Sequence, residues 1–395
     1  MSRRQELKAV DNYTENMLIQ MENTYLKMPA GAKYFIQILL FIIFNGLFIS
    51  PVSAQLWLLE EFPKSYVVYR TTGELTMDGR LDEADWQNVQ WTEDFVDIEG
   101  DKRPEPFYRT RVKMLWDDDY LYIAAELEEP HIWATYTERN SVIFHENNFE
   151  VFIDPNGDTH TYYEYEVNAL GTEWDLLLTK PYRNGGIPVS AWYIRGLKKG
   201  IHLKGTINDP SDIDTLWRVE LAFPWDILKE CAPGRRRPEP SEQWRINFSR
   251  VQWNLDVIDG EYVKRTDPQT GLDLPEYNWV WSPQGVIDMH RPESWGFVQF
   301  SDIPAGEGIE EFVRNPDEHI KFALRELYYR QFSFRRENGR YAGKLSDLIE
   351  ESLLINGKVF EPEFEISQTR FRISAPCHEG SSKWHIVEDG RIWRQ

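Results

Sequence analysis

Acidic side chains recur at alternate positions of one short segment and could bind hydroxyl groups or transfer protons. Residues 163–168 alternate strictly between apolar and polar, which places Glu164, Glu166 and Asn168 on one face of a predicted strand. Glu150 lies in the preceding predicted strand. Paired carboxylates are what a glycosidase needs, and carboxylates also accept hydrogen bonds from sugar hydroxyls. For Glu166 and Asn168 plain solvent exposure is the favoured interpretation, and Glu150 could also be solvated.

Three oxygen-bearing side chains alternate in the turn that follows Glu150. Asp154, Asn156 and Asp158 surround Pro155 and Gly157. This spacing could hold calcium, which prefers carboxylate and amide oxygens. An ordinary Asp-Pro-Asn-Gly turn explains the same residues and is the favoured interpretation.

The sequence does not complete any of the common catalytic templates. His145 and Glu146 begin a zinc-protease pattern, but Phe149 stands where the second histidine is required. The chain has no Gly-x-Ser-x-Gly elbow, no phosphate-binding Gly-Lys-Ser/Thr loop and no Gly-x-Gly-x-x-Gly motif. Catalysis by these routes is therefore not expected.

Composition limits the class of partner. The 395 residues include 44 Lys or Arg and 65 Asp or Glu, which gives a net charge of −21. Nucleic-acid binding depends on a basic surface, so a nucleic-acid partner is not expected. Aromatic residues make up 14% of the chain, with 16 Trp and 19 Tyr, and these side chains combine apolar area with a polar group. This enrichment is compatible with sugar binding but does not establish it.

The arrangement of these residues depends on many short predicted strands separated by Gly, Pro and Asp turns. Such a pattern predicts an all-β fold, an antiparallel, jelly-roll-like β-sandwich, over residues 64–302. Asp117 to Asp119 predict a hairpin turn, and Pro224 predicts the start of a short helix. The predicted strands are residues 112–116, 121–125, 149–153, 163–168, 176–178, 192–194, 217–223, 244–253, 278–281 and 295–300.

The pattern changes after Asp302 and predicts a small α+β appendage over residues 303–395. Asn315 and Pro316 are typical of a helix start, and a second short helix is predicted over residues 346–351. Residues 384–393 predict a hairpin around an Asp-Gly turn. No chemistry or protein partner can be assigned to this region.

The beginning of the chain has the features of an export signal. An apolar run over residues 34–49 follows Lys33 and precedes the small residues that end at Ala54. This pattern predicts a signal peptide within residues 1–54, with cleavage after Ala54. The mature protein would then be periplasmic, extracellular or on the cell surface, without stable membrane insertion. A single transmembrane anchor is the alternative, although 16 apolar-run residues are short for a span of about 20.

The two cysteines, Cys231 and Cys377, are too few for a disulfide framework and do not form a zinc motif. They could form one disulfide after export or remain separate buried thiols. The sequence leaves both possibilities open.

Several runs of the sandwich region, in this order, resemble one known family. They are residues 77–86, 112–123, 148–154, 165–168, 217–225 and 281–296. Together they resemble the family-9 carbohydrate-binding modules, which are found attached to xylanases and in exported proteins of polysaccharide-degrading bacteria. The resemblance covers about residues 64–302, and the appendage lies outside it.

The resemblance implies a sugar clamped between two apolar faces, with polar side chains on its hydroxyls. It places Phe144 and Met289 at the two clamp positions, His290 beside the second, and Glu150 at a hydroxyl-binding position. Glu166 stands where the family has a basic residue, and Met289 provides no ring. Phe144 could equally be a core or loop anchor.

The resemblance also implies structural calcium, for which Asp154, Asn156 and Asp158 are the candidate ligands. Trp174 and Trp253 lie near strand ends and could add stacking surface, although tryptophan in a sandwich is more often part of the core.

The leading hypothesis is an exported, non-catalytic protein that binds a poly- or oligosaccharide, with chain ends as one candidate point of recognition, in polysaccharide catabolism. One alternative is a glycoside hydrolase that uses Glu150 and Glu166 as acid and base. A second is a haem b protein with Met289 and His290 as candidate ligands. Adjacent residues of a strand point to opposite faces, so one iron could bind both only from a loop.

Overall fold

The computed structural model describes residues 62–349 and 352–395, so the predicted export segment lies outside the described residues. Within these ranges, no helix has the length and apolar character needed to cross a lipid bilayer. The strands are β1 Ser65–Arg70, β2 Val96–Asp97, β3 Thr110–Trp116, β4 Tyr120–Glu128, β5 Asn148–Asp154, β6 Tyr162–Asn168, β7 Glu173–Leu178, β8 Pro188–Val189, β9 Lys198–Lys204, β10 Leu216–Pro224, β11 Gln243–Gln252, β12 Leu255–Ile258, β13 Glu261–Lys264, β14 Tyr277–Val280, β15 Gly296–Pro304, β16 Leu354–Ile355, β17 Lys358–Val359, β18 Glu363–Ile366, β19 Phe371–Pro376, β20 Lys383–Val387 and β21 Ile392–Arg394. The α-helices are α1 Ala84–Asn88, α2 Trp225–Leu228 and α3 Asp317–Asn338.

The sandwich is confirmed, and its two layers share one apolar core. The strands follow the order β8-β7-β6-β5-β11-β15-β1-β3-β4-β10-β9, and β14 joins β11 to β2. Alternate residues of β5 and β6, such as Val151 and Tyr165, pack in the same buried cluster as Met114 of β3 and Leu221 of β10. Burying both inner faces against each other removes a large apolar area from water, which stabilises the fold.

Strand β1 connects the two layers. Its first half pairs with β15, as in Ser65 opposite Phe297, and its end pairs with β3, as in Tyr69 opposite Leu115. Both pairings are parallel, so the sheet is not antiparallel throughout as predicted. A strand that changes neighbours along its length allows one hydrogen-bonded sheet to fold into two layers.

The predicted hairpin of the sandwich is confirmed, but two other predicted elements, one in the sandwich and one in the appendage, are wrong. Trp116 lies opposite Leu121 across the Asp117 to Asp119 turn. Residues 192–194 form a loop instead of a strand, and the Trp192 ring stacks on Tyr163 with centroids 5.1 Å apart. Residues 192–194 are apolar in sequence because Trp192 packs on Tyr163, and not because they form a strand. A helix was expected over residues 346–351. In the structure, residues 346 and 347 belong to a single 3-10 turn over Leu345–Asp347, and residues 348 and 349 lie outside any helix.

The appendage has its own small core between α3 and the four-stranded sheet β18-β19-β20-β21. As predicted, the Asn315 side chain lies at the helix start, where its Oδ1 accepts from the Asp317 amide at 3.0 Å. The hairpin of β20 and β21 is also confirmed, with His385 opposite Trp393. The sulfur of Cys377 in this region is a free thiol, and so is that of Cys231.

A buried carboxylate fastens the appendage to the sandwich. Glu293 accepts two hydrogen bonds from Arg183 at 2.9 Å, and the Tyr329 hydroxyl of α3 donates to it as well. Burial alone would raise the pKa of Glu293, but Arg183 and its neighbouring arginines hold that pKa at about 2. Arg325 of α3 adds hydrogen bonds to Thr159 and to the Gly390 carbonyl. The sandwich and the appendage therefore belong to one compact unit.

We expect Gly296→Ala to destabilise the protein by roughly 1–3 kcal/mol, because overpacking a closed core costs about that much. A Cβ atom at Gly296 would overlap the indole ring of Trp281, which is fully buried and cannot move aside. Urea unfolding measures the change. Gly73→Ala is the matched control, since no atom lies within 4 Å of its added Cβ and a loss there as large would contradict the argument.

Candidate functional site

A row of polar side chains crosses the outer face of the layer that contains β5, β6, β7 and β11. Ser249, Glu150, Glu166 and Trp174 are successive cross-strand neighbours in this row. The next row places Glu164 beside Phe152 and Leu176. We call the surface formed by Glu150, Glu164, Glu166, Phe144 and Trp174 the carboxylate face.

The three carboxylates of this face are buried, contrary to the expected solvent exposure of Glu166. Their exposed fractions are 5% for Glu150, 6% for Glu164 and 1% for Glu166. The face lies beneath a 3-10 turn over Ile143–His145, which packs on β6, and near Tyr182, whose pKa is raised by burial and then by Glu164 and Glu166. Strand alternation identified the face correctly, but it carried no information about what covers it.

Burial changes the protonation of these carboxyl groups. It raises the pKa of Glu150 to about 7 and that of Glu164 to about 8, and it raises the pKa of Glu166 well above its ordinary value. For Glu164 and Glu166, repulsion from the neighbouring carboxylates adds to the effect of burial. Since a protonated carboxyl donates as well as accepts, the cluster can offer both kinds of hydrogen bond near neutral pH.

One protein amide bridges the cluster, and among the described residues Asn148 Oδ1 is a buried oxygen without a hydrogen-bond partner. The Asn148 Nδ2 donates to Glu150 Oε1 at 3.3 Å and to Glu166 Oε2 at 3.2 Å. Glu164 and Glu166 share a hydrogen bond between their carboxyl groups, and within the part of the chain that the structure describes no amide or hydroxyl donates to the buried Glu164 Oε2. A buried polar atom without a partner is costly, so a ligand hydroxyl that satisfied it would gain from that contact.

Two of the predicted aromatic residues come together at the edge of the carboxylate face. The half-buried rings of Phe144 and Trp174 are nearly parallel, at an angle of 24° with centroids 6.4 Å apart. Trp253 lies behind them, where its Nε1 donates to the Phe144 carbonyl at 3.1 Å and Lys264 lies 3.4 Å from its ring centroid. Trp253 is buried and supports the loop of Phe144, whereas Phe144 and Trp174 retain accessible surface.

Met289 and His290 lie in a loop that packs on the same outer surface. The Met289 side chain contacts the apolar group that includes Phe152 and Trp174, and its carbonyl accepts from Trp295 at 3.0 Å. His290 Nδ1 lies 2.9 Å from the Tyr162 hydroxyl. Burial lowers the pKa of His290 to about 4, so the imidazole is neutral at physiological pH. Both side chains are thus held by protein contacts.

Asn168 supports the hairpin between β6 and β7, and the expectation that it is exposed is wrong. Its Oδ1 accepts from the amides of Leu170 and Thr172, and its Nδ2 donates to Tyr136 and Glu146. These four contacts use both its acceptor and its donor capacity. Asn168 therefore positions the turn rather than facing a ligand.

The candidate calcium turn is stabilised by its own hydrogen bonds. Asp154 accepts from the amides of Gly157 and Thr159, at 3.0 and 2.9 Å, and Asn156 accepts from Asp158. Burial and then repulsion from Asp158 raise the pKa of Asp154 to about 7. A cation there would relieve this repulsion, but no group of three or more His, Cys, Asp or Glu side chains suited to a metal occurs among residues 62–349 and 352–395. Calcium binding at this turn stays a prediction.

Three residues of this region were absent from the predicted site. Glu164 was on the identified face of its strand, so the alternation itself would have been sufficient to include it. Asn148 lies two positions before Glu150, so the two-residue period of a strand places both side chains on the same face. Tyr182 lies in a distant loop, for which the sequence contains no signal.

We expect the stability of the protein to fall as the pH rises from about 5 to 9. The ordinary pKa of a glutamate is 4.5, whereas the folded protein holds the protons of Glu150 and Glu164 up to about pH 7 and 8. Unfolding in this window therefore releases protons, and each one changes the free energy of unfolding by up to about 1.4 kcal/mol per pH unit. In Glu164→Gln this decline should be shallower.

The measurement is urea unfolding of the wild type and Glu164→Gln at several pH values. The exposed Glu261→Gln on β13 serves as control and should leave the pH dependence unchanged. Parallel curves for the wild type and Glu164→Gln would show that the buried carboxyl does not retain its proton.

Comparisons with known proteins identify sequences that are similar to part of this chain. Residues 77–232 match the family described as carbohydrate family 9 binding domain-like. Endo-1,4-beta-xylanase A of Thermoanaerobacterium saccharolyticum is 31% identical over 104 residues, which are 26% of this chain and 8% of that enzyme.

Two solved structures of a family-9 carbohydrate-binding module from Caldicellulosiruptor kristjanssonii are also similar. The complex with cellotriose has 15% identity and a TM-score of 0.38, and the match covers 62% of this chain and 99% of that one. The complex with glucose has 16% identity and a TM-score of 0.38, with 62% and 100% covered. Through the match over residues 77–232, the resemblance of this chain to the family-9 carbohydrate-binding modules is confirmed.

Proposed function

We propose that the carboxylate face binds a neutral poly- or oligosaccharide and that the protein takes part in polysaccharide catabolism without being catalytic itself. The observation that carries this proposal is a buried cluster of three carboxyl groups with raised pKa values, next to the nearly parallel rings of Phe144 and Trp174. The match of residues 77–232 to a carbohydrate-binding family supports the same ligand class.

The chemistry of the face suits a sugar. The C–H face of a pyranose packs on an aromatic ring, and its hydroxyls need polar partners once they leave water. Phe144 and Trp174 supply the apolar surface, while Glu150 and Glu164 supply hydrogen-bonding oxygens. Because burial raises the pKa values of Glu150 and Glu164 to about 7 and 8, protonated carboxyls that can donate to sugar hydroxyls are present near neutral pH.

The similar modules indicate which sugars to use as probes. Those from Caldicellulosiruptor kristjanssonii are in complex with cellotriose and glucose, and the partial relative is a xylanase. We therefore propose β-1,4-linked glucose or xylose oligosaccharides as first ligands.

We expect Phe144→Ala to weaken oligosaccharide binding about tenfold, which corresponds to about 1.4 kcal/mol. The variant loses the ring that faces the sugar, while Trp253 and the strands behind it remain. Isothermal titration calorimetry with cellotriose and xylotriose measures the change, together with a thermal unfolding curve to verify the fold.

Trp393→Ala is the matched aromatic control, because Trp393 stacks on His385 in the C-terminal hairpin, outside the sandwich. Its affinity should equal that of the wild type. Absence of binding heat from the wild type across a broad panel of soluble neutral glycans would refute the proposal.

The hydrolase alternative is not favoured by the electrostatics of the face. An acid and base pair needs one protonated and one ionised carboxyl, so the environment must separate their pKa values. Here burial raises the pKa values of Glu150, Glu164 and Glu166 in the same direction. The haem alternative has no specific observation in its favour, since His290 Nδ1 contacts Tyr162 and Met289 contacts Gln284.

We also propose that the protein is exported and that cleavage follows Ala54. The basis is the apolar run over residues 34–49 and the small residues after it. The expected mature start is Gln55, and mass spectrometry of protein recovered from the cell envelope or medium identifies it. Retention of residues 1–54 in the recovered protein would favour the membrane anchor instead.

A further inference from the structure

A basic cavity lies on the other layer of the sandwich, against the outer face of β3, β4 and β10. Its volume is about 330 Å³, and four cations line it: Arg80, Arg111, Lys113 and Arg218. Trp91 forms an aromatic wall of the same cavity. We call this space the basic cavity. It is distinct from the carboxylate face, which belongs to the opposite layer.

The cavity is positively charged although the chain as a whole is acidic. Arg111, Glu126 and Arg218 are cross-strand neighbours, and Glu126 gives one carboxylate oxygen to each arginine. Both oxygens of this carboxylate are therefore used. Asp82 is the second acidic residue of the lining. Four cations and two carboxylates leave a net charge of +2 in a protein whose total is −21.

Lys113 is the cation of this lining that forms no direct ion pair among the described residues. Its side chain is 7% exposed, and its Nζ donates to the Trp86 carbonyl at 2.5 Å. Among the ion pairs of the described residues, no carboxylate pairs with Lys113. Burial lowers the pKa of Lys113, the positive charges of Arg111 and Arg218 add to that effect, and the negative charge of Glu126 opposes it. Glu126 attracts Lys113, but its two oxygens are hydrogen-bonded to Arg111 and Arg218, so Lys113 forms no direct ion pair and an anion entering the cavity would be favoured.

The cations and the aromatic wall converge on one region. Arg111 Cζ lies 4.3 Å from the centroid of the Trp91 ring, and Lys113 Nζ lies 4.7 Å from it. A ligand there meets an apolar surface and N–H donors within a few ångströms of each other. Asp82 and Gln87 add hydrogen-bonding groups at the exposed edge. A volume of about 330 Å³ is at the lower end for small-ligand sites and suits one or two sugar rings.

We propose that the basic cavity is a second carbohydrate site, specific for an acidic sugar whose carboxylate reaches Lys113 and Arg111 while its ring packs near Trp91. The ligand class is a uronate unit of an acidic polysaccharide. Arginine and lysine recognise carboxylates through charge-assisted hydrogen bonds, which are stronger than neutral ones.

The test is calorimetric titration of the full chain with glucuronate and with trigalacturonate at low ionic strength. We expect binding that weakens as salt is added, because the contacts are charge-dependent. Lys113→Met should reduce the affinity at least tenfold. Arg80→Gln should reduce it about threefold and preserve the fold, since the exposed Arg80 side chain forms a surface ion pair with Asp78, and the hydrogen bond that Arg218 donates to residue 80 goes to its backbone carbonyl.

Matched controls separate this proposal from the neutral-sugar site. Lys204→Met removes an exposed lysine on β9, outside the cavity lining, and should bind the uronates as the wild type does. Phe144→Ala should also bind them normally, and neutral cellotriose should not compete for them. The uronate result thus remains interpretable even if the carboxylate face binds no sugar.

Three results would overturn the proposal. They are absence of uronate binding by the wild type, unchanged affinity in both Lys113→Met and Arg80→Gln, and competition by acetate at the same concentration as glucuronate. The last would show a carboxylate site without a role for the sugar ring.

Discussion

A single apolar core between two sheet layers is the constraint on which the rest of this protein depends. Alternate residues of β5, β6, β10 and β11 must face that core, so the residues between them must face outward. This period places Glu150, Glu164 and Glu166 together on one outer surface. It places Arg111, Glu126 and Arg218 together on the other. Both polar surfaces are consequences of how the core is filled.

The carboxylate face illustrates how burial changes the meaning of an acidic cluster. Three exposed glutamates would be ionised and would favour cations. Here the loops around Phe144 and Tyr182 reduce the access of water, and burial raises the pKa values of the glutamates toward and above neutrality. The cluster then resembles a set of neutral hydrogen-bonding groups beside two aromatic rings. That chemistry fits neutral hydroxyls. It differs from the chemistry that the family resemblance implies, because Glu166 stands where the family has a basic residue.

The two outer faces differ in electrostatic character while sharing one plan, in which polar groups lie beside an aromatic side chain. One face combines protonated carboxyls with Phe144 and Trp174. The other combines guanidinium and ammonium groups with Trp91. If each binds a different kind of sugar, the protein could hold a polysaccharide that contains both neutral and acidic units. The appendage is attached to the sandwich through Glu293. Among the described residues, none of the appendage lines the basic cavity, whose lining lies between positions 80 and 218.

The sequence alone determined the sandwich, most of its strands, the start of α3 and the outward face of Glu164 and Glu166, because these follow from local periodicity and turn residues. It also indicated the family through several short runs in order. Only the tertiary structure decided that Glu150 and Glu166 are buried, that Asn168 is used by its own hairpin and that Trp253 supports Phe144 from behind. It also brought Arg80, Trp91 and Arg218 to one cavity, although they are far apart in the chain. Burial and pKa depend on which distant loops cover a surface, and strand periodicity contains no information about such contacts.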